Sequence, residues 1–248
     1  MPIQTWRTII SDMDGVITDT ARIHEAAWKQ VFDDYLQSHA AEFSSPQPPF
    51  SPDDYRRHVD GKARLTGIRD FFAARGLAIE EGTPEDPPER ETVHGLSRRK
   101  NDAFLQKLEQ LGVQVYEDSL RAFSAWRKQG LKIAVVSASK NCRLVLRRAG
   151  LEDWFDTIVD GLDTERQGLK DKAGQIREAA HRLGVSTQDT VLLEDATSGV
   201  QAGKQAGVGL VIGVDRHGQS EALIAAGADL VVRGLREVEV LPEMEFSE

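Results

Sequence analysis

The sequence of 248 residues contains a single cysteine, Cys142, and it has no long apolar run. One cysteine excludes an internal disulfide and is typical of a protein from a reducing compartment. A membrane-spanning helix needs about 20 consecutive apolar residues. The first residues also lack the basic start and the long apolar segment of a secretory signal. We therefore expect a cytoplasmic protein that does not enter a membrane.

Positive charge is scarce relative to negative charge. The chain has 31 lysines and arginines against 40 aspartates and glutamates, which gives a formal net charge of -9. A nucleic-acid-binding domain usually shows a basic surface, so nucleic acid is not the expected partner. A small anionic substrate remains compatible with this charge, because a local group of lysines and arginines can outweigh the global sign. With 40% hydrophobic and 29% charged residues, the composition predicts a soluble globular protein of one or two domains.

Helical and strand-like patterns are unevenly distributed along the chain. The first predicted strand is followed by a mainly helical block with two irregular inserts, around 44–52 and 82–88. Beyond it, helices alternate with buried strands, which is typical of a mostly parallel sheet with right-handed crossovers. The sequence therefore predicts an α/β protein with a Rossmann-like core of residues 1–19 and 116–248, and a helical cap of residues 20–115. The predicted strands span residues 5–11, 131–136, 157–160, 190–193, 207–213 and 229–232.

Two aspartates, Asp12 and Asp14, follow the first predicted strand, and Gly15 comes next. Residues i and i+2 of an extended chain point to the same side, so the two carboxylates should converge. Close carboxylates repel each other unless they share a proton or a cation. Mg²⁺ is suited to this position because it takes oxygen ligands, including those of phosphates. An acidic turn without a metal would show the same local pattern.

Further polar side chains follow the other predicted strands. Ser137 comes after the second strand, Lys170 and Lys172 lie in the loop after the third, and Glu194 and Asp195 end the fourth. Ligands of open parallel sheets bind outside the carboxyl ends of the strands, so these residues should meet at one edge. Each alone can be a helix cap, a surface lysine or a turn. Their occurrence together favours an active site.

Phosphoryl transfer through an aspartate requires this set of residues. An aspartate can attack phosphorus and form an aspartyl phosphate, which divides one difficult step into two. Mg²⁺ held by Asp12, the Asp14 backbone and the Glu194-Asp195 pair would offset the repulsion between carboxylate and phosphate. Ser137 and Lys170 would donate to the equatorial oxygens of the transition state. The Asp14 side chain is placed to exchange a proton with the attacking or leaving oxygen.

The sequence resembles the haloacid dehalogenase-like phosphotransferase superfamily over nearly its whole length. Asp12-Met13-Asp14-Gly15-Val16 resembles the first motif, Ser137 the second, Lys170 the third and Glu194-Asp195 the fourth. The resemblance is closest to the β-phosphoglucomutases, which interconvert β-glucose 1-phosphate and glucose 6-phosphate through β-glucose 1,6-bisphosphate. The segments similar to that family are residues 14–21, His24, residues 27–29, residues 99–102 and residues 137–141.

This resemblance implies a catalytic role for four residues near the first strand. Asp12 would be the nucleophile and Asp14 the general acid and base. Thr20 and His24 would hold Asp14 away from the reaction until the cap closes. For His24, the alternative is an ordinary histidine on a helix face.

The resemblance also implies a phosphorylated sugar as the substrate. Arg64 and Lys100 of the cap would bind the phosphate that is not transferred. Lys62 competes with Arg64 for this role, and residues 98–100 could instead form a solvated basic helix face. The residues implied to contact phosphate or sugar from the core are Ser139, Lys140 and Asn141.

Some positions depart from the family pattern. The lysine of the third motif usually precedes a proline, whereas Lys170 precedes Asp171. Counting back from Leu183-Gly184-Val185 favours Lys170, and Lys172 is the alternative. Ser11 occupies a position that is commonly aromatic.

A phosphomutase is not the only function with related chemistry. A phosphatase of the same superfamily, which passes the aspartyl phosphate to water, is the main alternative. A dehalogenase would not need the Glu194-Asp195 pair, and a receiver-type signalling module is shorter and has no cap. We expect a monomer, because the cap already shields the site.

Overall fold

The computed structural model describes residues 6–238, and the chain divides into two compact units. The core unit comprises Met1–Asp19 and Gln114–Glu248, and the helical unit comprises Thr20–Val113. No helix within the described range is both long enough and apolar enough to cross a membrane.

The helical unit is built around a group of aromatic side chains. Phe32 lies at its centre, with its ring centroid 4.0 Å from that of Phe71 and 5.0 Å from that of Trp28. The last long helix of this unit begins at Val93, because the Thr92 hydroxyl accepts the N–H of Gly95 and caps it. The helices are α1 (Ala21–Ser38), α2 (Pro52–Asp54), α3 (Arg64–Ala74) and α4 (Val93–Leu111), with a π-helical turn over Tyr55–Val59.

Both predicted inserts are irregular, and side chains bind them to the helices. In the first insert, the backbone N–H of Phe50 donates to Asp33 Oδ1 at 2.7 Å. In the second, the Thr92 hydroxyl donates to Asp86 Oδ2 at 2.7 Å. The inserts are therefore fixed to the helical unit through polar contacts as well as packing.

Six parallel strands form the sheet of the core unit, in the order β3-β2-β1-β4-β5-β6. Strands that are covered on both faces are continuous apolar runs, which is why their sequence pattern was recognisable. The predicted α/β fold with a mostly parallel sheet is confirmed. The strands are β1 (Thr8–Asp12), β2 (Lys132–Val136), β3 (Thr157–Val159), β4 (Thr190–Glu194), β5 (Leu210–Val214) and β6 (Leu230–Val232).

Six helices connect the strands of the core unit among its described residues. One of them, α7, was not predicted; the carboxylate of Asp160 caps it by accepting the N–H groups of Leu162 and Asp163. Because every strand is parallel, the carboxyl ends of all six lie at one edge of the sheet. The helices are α5 (Glu117–Lys128), α6 (Cys142–Arg148), α7 (Gly161–Gln167), α8 (Lys172–Leu183), α9 (Thr197–Ala206) and α10 (Ser220–Ala226).

Candidate active site

Asp12 is the last residue of β1, and a tight turn follows it. The N–H of Gly15 donates to the Thr18 carbonyl at 2.8 Å, and the N–H groups of Ile17 and Thr18 donate to the Met13 carbonyl. Gly15 has a φ of 80°, and a Cβ at this position would lie 1.7 Å from the Asp195 carboxylate. Glycine is therefore required here for two reasons: the backbone conformation of the turn, and the close approach of the Asp195 carboxylate, which follows β4.

Lys172 is the lysine that lies beside Asp12. Its Nζ is 2.7 Å from Asp12 Oδ1 and also forms an ion pair with Glu194. The Asp171 side chain accepts the N–H of Gly174 and caps α8, which makes Lys172 the first helical residue. Helical side chains tilt toward the N-terminus, so the Lys172 ammonium reaches the carboxyl edge of the sheet.

Lys170 precedes the helix and is exposed to solvent. The structure therefore does not place Lys170, the predicted lysine of the site, beside Asp12, and it places the alternative, Lys172, there. The physical reason is the helix cap, since Asp171 starts α8 one residue before Lys172 and leaves Lys170 outside it.

Burial and charge shift the ionisation of this ion pair. Burial raises the pKa of the Asp12 carboxyl well above its usual value; the Lys172 ammonium opposes this shift, and Glu194 adds to it. Burial would lower the pKa of Lys172, but the carboxylates of Asp12 and Glu194 outweigh it and raise that pKa. One ammonium thus faces two carboxyl groups, and a further cation would offset the charge that Lys172 does not neutralise.

Three carboxylates of the core unit can hold that cation. Asp12, Glu194 and Asp195 each offer an oxygen, and these atoms lie within 4.8 Å of one another. An all-oxygen donor set suits a hard divalent ion better than zinc or copper. The Asp14 side chain is not part of this cluster. Glu194 is fully buried, and its second oxygen accepts the Ala196 N–H at 3.0 Å.

We expect Gly199→Ala to weaken divalent-cation binding and activity. A Cβ at Gly199 would lie 1.7 Å from Glu194 Oε1, so the carboxylate must move away from the Lys172 ammonium and the other ligands. The matched control is Gly174→Ala in α8, where the nearest atom to the new Cβ is 3.5 Å away. Activity titrated against Mg²⁺ should show at least about a tenfold higher requirement for Gly199→Ala only, as disturbed supporting groups commonly cause. Equal curves for both variants would contradict the assignment of Glu194 to the site.

The loop after β2 brings a series of hydroxyls next to β1 in the sheet. Ser137 is buried, and its Oγ accepts the N–H of Ser139 at 3.1 Å. The Ser139 Oγ in turn accepts the N–H of Asn141 at 3.2 Å. Lys140 is exposed and forms an ion pair with Glu165 of α7. The structure thus places the predicted core-side residues on one loop, directly after the strand that pairs with β1.

His24 and Lys100 come together inside the helical unit. Lys100 is buried, and its Nζ lies 2.6 Å from His24 Nδ1 and 5.0 Å from the ring centroids of Trp28 and Phe104. An ammonium can only donate, so Nδ1 of a neutral His24 is the acceptor and its proton is on Nε2. Thr20 holds the N-cap position of α1, and its carbonyl accepts the His24 N–H.

Arg64 lies against the same stretch of α4. Its guanidinium donates to the Ser97 carbonyl at 3.0 Å and to Asn101 Oδ1 at 2.9 Å. Its competitor, Lys62, forms an ion pair with Asp70 instead. The predicted cap residues Arg64, His24 and Lys100 therefore form one basic group within this unit.

Lys100→Met is expected to raise the pKa of His24. Burial lowers this pKa well below its usual 6.5, and the positive charges of Lys100 and Arg64 lower it further. Imidazole ¹⁵N shifts followed by NMR through a pH titration measure the change, with Lys107→Met on the same helix as a control that should have no effect. Titration of His24 near 6.5 in the unmodified protein would contradict the described environment.

Sequence reasoning missed the glycines that make room for the carboxylates. Gly199 lies near the start of α9, five residues after Glu194, and accommodates its carboxylate. A signal was available for Lys172, because Asp171 followed by a helical pattern indicates an N-cap. No pattern in the sequence shows that the Glu194 carboxylate turns toward α9 and needs a residue without a side chain there.

The edge of the sheet therefore carries a buried aspartate, a lysine and a carboxylate cluster suited to a divalent ion. The family model described as haloacid dehalogenase-like hydrolase matches residues 6–207. The chain belongs to this family, as its sequence motifs predicted.

Named relatives narrow the class further. The chain is 40% identical over 238 residues to the β-phosphoglucomutase of Mycobacterium bovis, covering 94% of this chain and 91% of the relative. It is 32% identical over 231 residues to the β-phosphoglucomutase of Bacillus subtilis, covering 92% and 89%. The fold is similar to the crystal structure of β-phosphoglucomutase from Clostridium difficile, with a TM-score of 0.76 and 22% identity over 95% and 94% of the two chains. The protein is an enzyme of phosphoryl transfer, either a phosphomutase or a phosphatase.

Proposed function

We propose that this enzyme is a Mg²⁺-dependent β-phosphoglucomutase that interconverts β-glucose 1-phosphate and glucose 6-phosphate through β-glucose 1,6-bisphosphate. The observation that carries the proposal is the environment of Asp12, which lies at the end of β1 with the Lys172 ammonium at 2.7 Å and the carboxylate cluster around it. The full-length similarity to two named β-phosphoglucomutases supports this choice of substrate.

Asp12 is the nucleophile in this proposal. Its carboxylate attacks phosphorus, an aspartyl phosphate forms, and the bond from phosphorus to the sugar oxygen breaks. Bound Mg²⁺, held by Asp12, Asp195 and the Asp14 backbone, with Glu194 beside it, would offset the repulsion between carboxylate and phosphate. Lys172 holds the Asp12 carboxylate in place through Oδ1.

The remaining residues of the core unit stabilise charge and move the proton. The Ser137 hydroxyl and the Lys172 ammonium donate to the equatorial oxygens, where the negative charge of the transition state is spread. Asp14 donates a proton to the departing sugar oxygen and removes one from the sugar hydroxyl that attacks next. This general acid and base catalysis is typically worth about 10²- to 10⁴-fold.

The phosphate that is not transferred needs its own positively charged side chains. We assign this role to Arg64 and Lys100 of the helical unit, which would act as the cap. Ser139, Lys140 and Asn141 would contact phosphate or sugar from the core unit. Thr20 and His24 would control when Asp14 acts, so that the aspartyl phosphate meets a sugar hydroxyl before water.

A phosphatase is the second candidate function, favoured by the description of the matching family as hydrolases. The two functions share every step up to the aspartyl phosphate. They differ in whether a sugar hydroxyl or water then accepts the phosphoryl group. The full-length similarity to two named β-phosphoglucomutases favours the mutase.

Product analysis tests the proposal. The enzyme is given β-glucose 1-phosphate, Mg²⁺ and a trace of β-glucose 1,6-bisphosphate, and the products are followed by ³¹P NMR. We expect glucose 6-phosphate to accumulate with little inorganic phosphate, and α-glucose 1-phosphate as the control substrate to remain unconverted. Stoichiometric release of inorganic phosphate without glucose 6-phosphate would establish the phosphatase instead.

A further inference from the structure

Arg216 lies in the loop after β5, outside every motif of the active site, yet its side chain is only 11% exposed. One nitrogen of the guanidinium donates to both carboxylate oxygens of Asp118, at 3.0 and 2.9 Å. The other donates to the Ser119 hydroxyl at 2.9 Å. Both partners are in the first turns of α5, so Arg216 connects two distant parts of the core unit.

Arg216 also packs on an aromatic ring. Its Cζ lies 4.0 Å from the centroid of the Tyr116 ring, a distance suited to cation–π attraction. The Tyr116 hydroxyl donates to Asp19 Oδ1 at 3.2 Å. Burial and the Asp19 carboxylate raise the pKa of Tyr116, so this hydroxyl stays protonated and remains a donor.

These contacts hold the segment that follows Asp14. The Val16 carbonyl accepts the Ser119 hydroxyl at 2.6 Å and the Arg216 guanidinium at 3.4 Å. The neighbouring Ile17 carbonyl accepts the N–H of Tyr116 at 3.0 Å. Residues 16–19 and 114–119 thus form a ladder of hydrogen bonds, with Arg216 at one end of it.

The same segment determines the backbone position of Asp14. The N–H of Gly15, directly after Asp14, donates to the Thr18 carbonyl, and the N–H of Ile17 donates to the Met13 carbonyl before it. A shift of residues 16–18 therefore moves the backbone on both sides of Asp14. Sub-ångström misplacement of a catalytic group is enough to cost rate.

We infer that Arg216 is a positioning residue for the general acid and base, acting through Val16, Ser119 and Tyr116 to fix the turn that carries Asp14. This inference rests on the proposed role of Asp14. If the Arg216–Asp118 ion pair were purely structural, its loss would slow every step of the reaction alike. If Arg216 positions Asp14, its loss slows only the steps that need a proton from Asp14.

Arg216→Lys is the variant that tests the inference, because lysine keeps the charge beside Asp118 but cannot form the planar fork or stack in the same way. Single-turnover formation of the aspartyl phosphate is measured with two donors. β-Glucose 1,6-bisphosphate releases a sugar oxygen that needs a proton, whereas acetyl phosphate releases acetate, which needs none. We expect at least about a tenfold loss with the bisphosphate, as general acid catalysis is worth about 10²- to 10⁴-fold, and an unchanged rate with acetyl phosphate.

Three controls make the outcome decisive. Arg236→Lys makes the same change at an exposed arginine in the same unit and should leave the rate unchanged with both donors. Ser119→Ala removes one hydrogen bond to the Val16 carbonyl, and it should cause a smaller loss of rate with the bisphosphate and none with acetyl phosphate. This variant replaces Arg216→Lys if Arg216→Lys does not fold. Equal losses with both donors, or no loss, would overturn the inference. If Asp14→Asn changed the rates with both donors equally, the proposed role of Asp14 would be refuted instead.

Discussion

Asp12→Asn is expected to remove turnover while the protein stays folded. The asparagine amide cannot attack phosphorus, and Asp12 is the carboxylate at the end of β1 that Lys172 contacts. The side chain keeps its size, and the Lys172 ammonium keeps Glu194 as a partner. We expect kcat to fall at least about 10⁴-fold, on the scale seen when a nucleophile is removed from other enzymes.

Steady-state kinetics and thermal unfolding check this prediction together. Asp153→Asn, at an exposed position of the core unit, is the matched control and should leave kcat and Tm unchanged. A folded Asp12→Asn protein that keeps more than about one-hundredth of the original kcat would show that another group is the nucleophile.

Lys172→Met is expected to have the second largest effect. The change leaves Asp12 and Glu194 buried without their ammonium partner, and such an unpaired buried charge commonly costs about 3–5 kcal/mol of stability. It also removes a donor to the transition state, which is worth about 10²- to 10³-fold in kcat. Saturating Mg²⁺ should restore part of the stability, since a cation replaces the lost charge, but it should not restore the rate.

Lys170→Met provides the control for this prediction, because Lys170 is exposed two residues before Lys172. Its kcat and Tm should match those of the unmodified enzyme. A large loss for Lys170→Met with a small one for Lys172→Met would contradict the placement of the lysine described above.

Much of the core unit was predictable because its signals are local. The helix α8 spans Lys172–Leu183, and the sequence marks both of its ends: Asp171 caps its start, and Gly184 adopts the left-handed conformation that ends it. In contrast, α7 has seven residues and only one large apolar side chain, Leu162, so no periodicity marks it. Its one signal was the capping box of Asp160 and Asp163.

The site was predictable where a single strand end carries the chemistry. Asp12 ends one buried strand and Asp195 directly follows another, so the strand pattern alone places them at the edge of the sheet. The choice between Lys170 and Lys172 depends on which residue starts the helix, and counting from the far end of α8 did not resolve it. The role inferred for Arg216 depends on contacts with residues about 100 and 200 positions away, which no local pattern contains.

Trapping the covalent intermediate tests the central claim most directly. The enzyme is mixed with β-glucose 1,6-bisphosphate and Mg²⁺, quenched in acid within one turnover, digested and examined by mass spectrometry. We predict one phosphoryl group on the peptide that contains Asp12, located on Asp12 itself and missing from Asp12→Asn. A phosphoryl group on another residue, or turnover without any covalent phosphoenzyme, would contradict the account.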